Sequence, residues 1–282
     1  MRLGAPIHAE PLTPASWIAA LQAQGYTAAY CPISADADEA TRRAYVAAAR
    51  DADIIIAEVG AWSNPLSADP DERRAAIATC QTQLALADDI GARCCVNIAG
   101  SCGQPWDGPH PDNLTPATFD RIVDTVRTIL RAVNPSRTFY SLEPMPWMYP
   151  HTADSYLALL QAIDHPHFGV HIDMVNVINS PERYFDNAAL IREWFAKLGP
   201  HIRSCHAKDT RLDVRLTTHL DEVRPGEGNL DYATLLTELA ALDPDTPLMV
   251  EHLATDEDYR LAAAHIRNVA ADIGVSFAGG HA

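Results

Sequence analysis

Apolar runs of strand length alternate with helical patterns along the whole chain, and the alternation repeats eight times. The strand runs fall at 2–8, 26–33, 53–59, 94–99, 138–143, 168–173, 202–206 and 247–251. Helical spacing recurs at about 14–24, 37–51, 70–91, 115–133, 152–163, 184–198, 231–242 and 256–273. Thr13-Pro14 and Thr115-Pro116 place a capping hydroxyl before a proline suited to the first helical position. Asp256-Glu257 puts acid at the start of the last helix, where the helix dipole favours it. Gly25, Gly91 and Gly199 stand where helices stop and the chain enters the left-handed region. Strands alternating with helices imply a parallel sheet. Eight such units close most simply as a (β/α)₈ barrel, an open doubly wound sheet being the weaker alternative. No Gly/Ser-rich linker or shift in composition divides residues 1–282, so a single domain is expected.

Four of the strand runs end on a polar side chain: Tyr140-Ser-Leu-Glu143, Gly169-Val-His-Ile-Asp173, Arg203-Ser-Cys-His206 and Leu248-Met-Val-Glu251. Ligands from separate strands meet only where parallel strands present their C-terminal ends on one face, as in a barrel. Any one of these residues alone reads as a salt-bridged or core residue. Four on one face would each need a buried partner. Three carboxylates and one imidazole suit Mn²⁺, Mg²⁺ or Co²⁺, and less often Zn²⁺. Cys205 precedes His206, so it points to the opposite face and packs against a helix. His171 shares the face of Asp173 and is placed deeper in the barrel as a supporting partner. By the same alternation His252 points away from Glu251. His8 ends the first run and is a candidate for the pocket.

The longest loops follow strands three, four, five and seven, on the face where barrels build active sites. Trp62, Trp106 and Trp147 lie in three of them, as pocket wall or as subunit interface. Arg211 and Arg215, in the fourth, are candidates for a carboxylate or phosphate clamp.

At 282 residues and 48% hydrophobic content the chain can build one large core. No apolar stretch approaches the roughly 20 residues that cross a bilayer, and the N-terminus lacks the apolar region of a signal peptide. Six cysteines without a CxxC pair point to reduced thiols and a cytoplasmic setting. A net charge of -16 opposes binding to a phosphate backbone. A small sugar or keto-sugar suits it better than nucleic acid or membrane.

The order Glu, Asp, His, Glu on strands five to eight resembles the xylose isomerase-like TIM barrel superfamily. So does Pro225-Gly-Glu-Gly-Asn-Leu-Asp231, which matches its PGxGxxD signature. That group includes ketose 3-epimerases, hydroxypyruvate isomerase, inosose dehydratase, keto-sugar acid decarboxylases, C-glycoside-cleaving deglycosidases and endonuclease IV. The resemblance implies that Glu143, Asp173, His206 and Glu251 hold one divalent ion, with Mn²⁺ the first choice. It also implies that Glu143 and Glu251 serve as acid and base on opposite faces of a ketose. Two positions depart from the epimerases. Asn176 stands where they carry histidine, leaving a group that hydrogen-bonds a substrate but neither titrates nor binds a second metal well. Lys208, in the sequence His206-Ala-Lys-Asp209, resembles inosose dehydratase-like members. It faces the pocket if the strand continues, or else is a surface lysine paired with Asp209. Isomerase or epimerase is the leading expectation, and a dehydratase, decarboxylase or deglycosidase type of lyase is the rival. A homo-oligomer is expected, or a pairing with a small second subunit for a deglycosidase.

Overall fold

A computed structural model describes residues 1–279, so the last three residues of the expected domain lie outside the described residues. Eight strands close a barrel: β1 (Arg2–Gly4), β2 (Ala28–Tyr30), β3 (Ile55–Gly60), β4 (Cys94–Asn97), β5 (Phe139–Leu142), β6 (Phe168–Ile172), β7 (Ile202–Ala207) and β10 (Pro247–Val250). All eight neighbouring pairs are parallel, and β1 closes the ring by pairing with both β2 and β10. The doubly wound alternative is therefore excluded. Each predicted strand exists, but several are shorter than their apolar runs. β1 stops at Gly4 rather than reaching residue 8, and Pro6, just beyond, has no N–H to give the ladder.

The helices between barrel strands are α1 (Pro14–Ala23), α2 (Glu39–Asp51), α3 (Pro70–Ile90), α4 (Pro116–Val133), α5 (Ala153–Ile163), α8 (Asn187–Leu198) and α9 (Tyr232–Ala240), and α10 (Asp256–Asp272) follows the last. Two short helices, α6 (Met174–Val177) and α7 (Pro181–Phe185), fill the loop after β6. Thr13 and Thr115 cap α1 and α4 ahead of their prolines, and Thr255 caps α10 ahead of three acids. Gly25 and Gly91 adopt φ of 64° and 70° beyond α1 and α3, where a Cβ would be strained. Gly199 departs from expectation: at φ -42° it stays right-handed and carries α8 into a short 3₁₀ turn.

Loop seven is not irregular. It folds into an antiparallel hairpin, β8 (Asp209–Asp213) paired with β9 (His219–Val223). Apolar side chains of the strands and helices, Cys205 among them, form one large core cluster. A second, small cluster of Ala28, Ala57 and Met249 sits apart from it. Among the described residues no helix is long and apolar enough to cross a membrane.

Candidate functional site

The site is assembled where four strands end. Glu143 follows β5, Asp173 follows β6, His206 lies in β7 and Glu251 follows β10, and their ligand atoms all lie within 4.8 Å of one another. His206 Nδ1 is 2.8 Å from Glu251 Oε1, 3.2 Å from Glu143 Oε1 and 3.8 Å from Asp173 Oδ2. Local structure aims each donor. Asp173 Oδ1 accepts from the N–H groups of Val175 and Asn176, capping α6. Its Oδ2 is left buried with no hydrogen-bond donor among the described residues, and Glu251 Oε1 is in the same condition. Asn176 Nδ2 donates to Glu143 Oε1 at 3.0 Å, so this departure from the epimerase pattern orients an acidic ligand.

Buried, donor-poor carboxylate oxygens converging with an imidazole nitrogen are what a hard divalent cation takes up. Glu143, Asp173, His206 and Glu251 fit such an ion.

Lys208 enters the same cluster. It is 2% exposed, and its Nζ lies 2.7 Å from Glu251 Oε1, 2.8 Å from Asp173 Oδ2, 3.6 Å from Glu222 and 3.7 Å from Glu143. Its two closest approaches are thus to the same two buried carboxylate oxygens, as ion pairs. Burial disfavours the ammonium, but Asp173, Glu143, Glu251 and Glu222 outweigh it and hold the pKa well above the usual lysine value. Burial likewise disfavours the Glu251 carboxylate, yet His206 and Lys208 pull its pKa down to about 2. The surface-lysine alternative is overturned. Asp209 is instead buried and accepts backbone N–H groups from Thr210, Gly226, Gly228 and Leu230 at 2.8–3.0 Å. A Cβ at Gly228 would meet Asp209 Oδ1 at 2.2 Å, which accounts for that glycine of the PGxGxxD segment.

Below the cluster sits Glu58 of β3, a residue that the sequence reading passed over. Its Oε2 is 3.1 Å from His206 Nε2 and its Oε1 is 3.2 Å from His171 Nε2, and Ser204 Oγ donates to it as well. Burial raises the Glu58 pKa, but His206 and His171 outweigh it and hold the acid ionised, well below the usual range. A carboxylate at Nε2 fixes the proton there and frees Nδ1 for a ligand bond. His171 is the deeper partner expected of it. Its ring packs edge-on against that of His206 at 4.1 Å.

Two members of the cluster open onto a cavity of about 740 Å³. Trp62, Trp106, Asn176 and Lys208 line it with Glu143 and Glu251; so do Tyr30, Glu222 and His252, which had not been expected there. Trp147 does not reach the cavity. Its Nε1 donates to the Asp107 carbonyl at 2.7 Å and braces the loop that carries Trp106. Three more candidates fall outside. The His8 ring is exposed and pairs with Asp256 at 2.9 Å, because β1 ends four residues earlier. Arg215 sits at the hairpin turn, exposed and 3.4 Å from Asp213, and Arg211 is exposed on β8. His252 departs in the other direction. Strand alternation ends with β10, and a φ of 58° turns this residue to the cavity, 3.2 Å from Glu222.

The profile of the xylose isomerase-like TIM barrel family matches residues 18–269, and the chain belongs to that family. No curated protein matches the sequence. Solved structures share the fold at low identity. A xylose isomerase-like TIM barrel protein from Mycobacterium smegmatis, in complex with magnesium, superposes with a TM-score of 0.66 at 16% identity, covering 96% of each chain. A probable 3-DHS dehydratase from Bacillus anthracis gives 0.70 at 17%, covering 94% of this chain and 97% of its own. A 3-keto-D-glucoside 4-epimerase from E. coli gives 0.67 at 16%, covering 95% and 99%.

Proposed function

We propose that this protein is a divalent-metal-dependent enzyme that isomerises or epimerises a ketose or keto-sugar through an enediolate. The observation that carries the reading is the convergence of two cavity-lining glutamates, Glu143 and Glu251, with Asp173 and His206 at the C-terminal end of the barrel. A similar fold that bears an epimerase name supports it. A bound ion, Mn²⁺ by preference, would stabilise the negative charge that develops on the substrate oxygens. The chain supplies the rest. Glu251, ionised throughout the physiological range, removes a proton α to the carbonyl. Glu143, steered by Asn176, returns one from the other face. Trp106 and Trp62 offer the substrate apolar ring faces in the same cavity.

The test is a screen of ketoses and 3-oxo glycosides with Mn²⁺-loaded protein. The reading expects about one divalent ion per chain, activity abolished by EDTA and restored by Mn²⁺ or Co²⁺, and deuterium entering one substrate carbon in D₂O. Glu251→Gln should lose turnover by roughly 10²- to 10⁴-fold. Full activity without metal would sink the proposal. One observation favours a second reading, a lyase on a 3-oxo sugar or keto-sugar acid. The buried ammonium of Lys208 faces the cavity, where it can neutralise a departing group.

A further inference from the structure

The cavity is larger than a sugar and its lining is of two kinds. At water's share of liquid volume, about 30 Å³ per non-hydrogen atom, the twelve such atoms of a hexose occupy at most about 360 Å³. That is roughly half of the 740 Å³ present. The polar side is built by the ends of β5, β6, β7 and β10 and by Glu222 of the hairpin. Apolar lining comes from the loops after β3 and β4: Trp62, Ile98 and Trp106. Trp62 keeps 47% of its surface exposed although it lines a cavity, an apolar area awaiting cover. Among the described residues no arginine lines the space. Lys208, its ammonium, is already surrounded by carboxylates, and Asp107 and Glu222 add negative charge. Away from the metal ligands, an anionic group such as a phosphate therefore finds no side-chain clamp. Tyr30 Oη is buried at the polar side without a hydrogen-bond partner among the described residues.

We infer that the substrate is a neutral, unphosphorylated glycoside whose sugar meets the carboxylates and Tyr30, and whose ring-sized apolar substituent lies against Trp62 and Trp106. The inference rests on the proposed sugar chemistry for the identity of the polar half and specifies the other half. It removes sugar phosphates from the candidate substrates.

Isothermal titration of Mn²⁺-loaded protein with matched methyl and phenyl β-pyranosides of glucose, galactose and xylose tests it. Burying one phenyl ring predicts roughly tenfold to a hundredfold tighter binding of the phenyl member in at least one pair. Trp106→Ala should collapse that ratio, whereas Tyr30→Phe should weaken both members of the pair and preserve it. Equal affinity for methyl and phenyl members in all three pairs overturns the inference, as does tighter binding of glucose 6-phosphate. The two readings fail separately. Aryl preference with no keto-sugar turnover refutes the proposed reaction alone, while turnover of small ketoses with no aryl preference refutes the substituent alone.

Discussion

Glu58 decides which nitrogen of His206 is free. With the carboxylate at 3.1 Å from Nε2, Nδ1 is the nitrogen that faces Glu143, Asp173 and Glu251, and its lone pair is the one that a bound ion would take. Glu58→Gln keeps the shape but removes the charge that favours a protonated Nε2. Metal affinity should fall about 10- to 100-fold, measured by competition with a chelator, while circular dichroism stays unchanged. An unaltered affinity would mean that Glu58 serves only packing. Lys208 carries a second prediction. If it aids departure of a leaving group, Lys208→Met should stop product formation while α-proton exchange with D₂O continues. If exchange and product fall together, the ammonium serves binding or the enediolate, and the isomerase reading gains. Both residues also mark what sequence alone reveals. Glu143, Asp173, His206 and Glu251 were legible because each ends an apolar run, where alternation and barrel geometry give one face. Glu58 was not, because pairing skips from Ala29–Ile56 to Tyr30–Glu58. Ala57 packs with Ala28 and Met249 while its neighbour Glu58 reaches His171 and His206, an irregularity that strict alternation hides. His252 escaped for a similar reason, its positive φ lying just past the strand.

Among the elements, the β8–β9 hairpin is the one that the hydrophobic pattern did not announce. Its strands, Asp209-Thr-Arg-Leu-Asp213 and His219-Leu-Asp-Glu-Val223, are mostly polar and project beyond the barrel, so they lack the apolar run that marked the other eight. The helices were legible to within a few residues because their caps are chemical: Thr13, Thr115 and Thr255 each accept a backbone N–H of the first turn. The hairpin is held at its base by Asp209, through backbone N–H groups of both the hairpin and the Pro225–Leu230 segment. Asp209→Ala leaves these buried donors unpaired and should cost about 3 kcal/mol. Thermal denaturation should show a Tm lower by on the order of 5–10 °C. Limited proteolysis should cut first between residues 209 and 230. Asp209→Asn, which turns one acceptor into a donor facing N–H groups, should fall between wild type and Asp209→Ala. A melt unchanged by Asp209→Ala would show that water replaces the carboxylate at no cost.

For the whole molecule, the ligand cluster is also a mechanical tie. Its four members follow or belong to β5, β6, β7 and β10, four consecutive strands of the closed ring. Without an ion, their mutual repulsion is offset by Lys208 and by an imidazole that burial disfavours as a cation but that Glu251, Glu58, Tyr30 and Glu143 hold protonated well above its ordinary pKa. An ion that binds the native barrel and not the unfolded chain stabilises it by mass action, about 2.7 kcal/mol when present at a hundred times its Kd. For a chain of this length that should raise Tm by on the order of 5 °C. Differential scanning calorimetry with Mn²⁺ against EDTA should therefore show an upward shift that grows with metal concentration. His206→Ala, which removes the only nitrogen donor, should abolish the concentration dependence whatever it does to the baseline Tm. Glu251→Gln keeps an oxygen ligand and should retain a reduced shift. A wild-type melt that ignores Mn²⁺, Mg²⁺, Co²⁺ and Zn²⁺ alike would refute the metal site independently of any assay for turnover. The buried charges would then have to be read as an ion-pair network closed by Lys208.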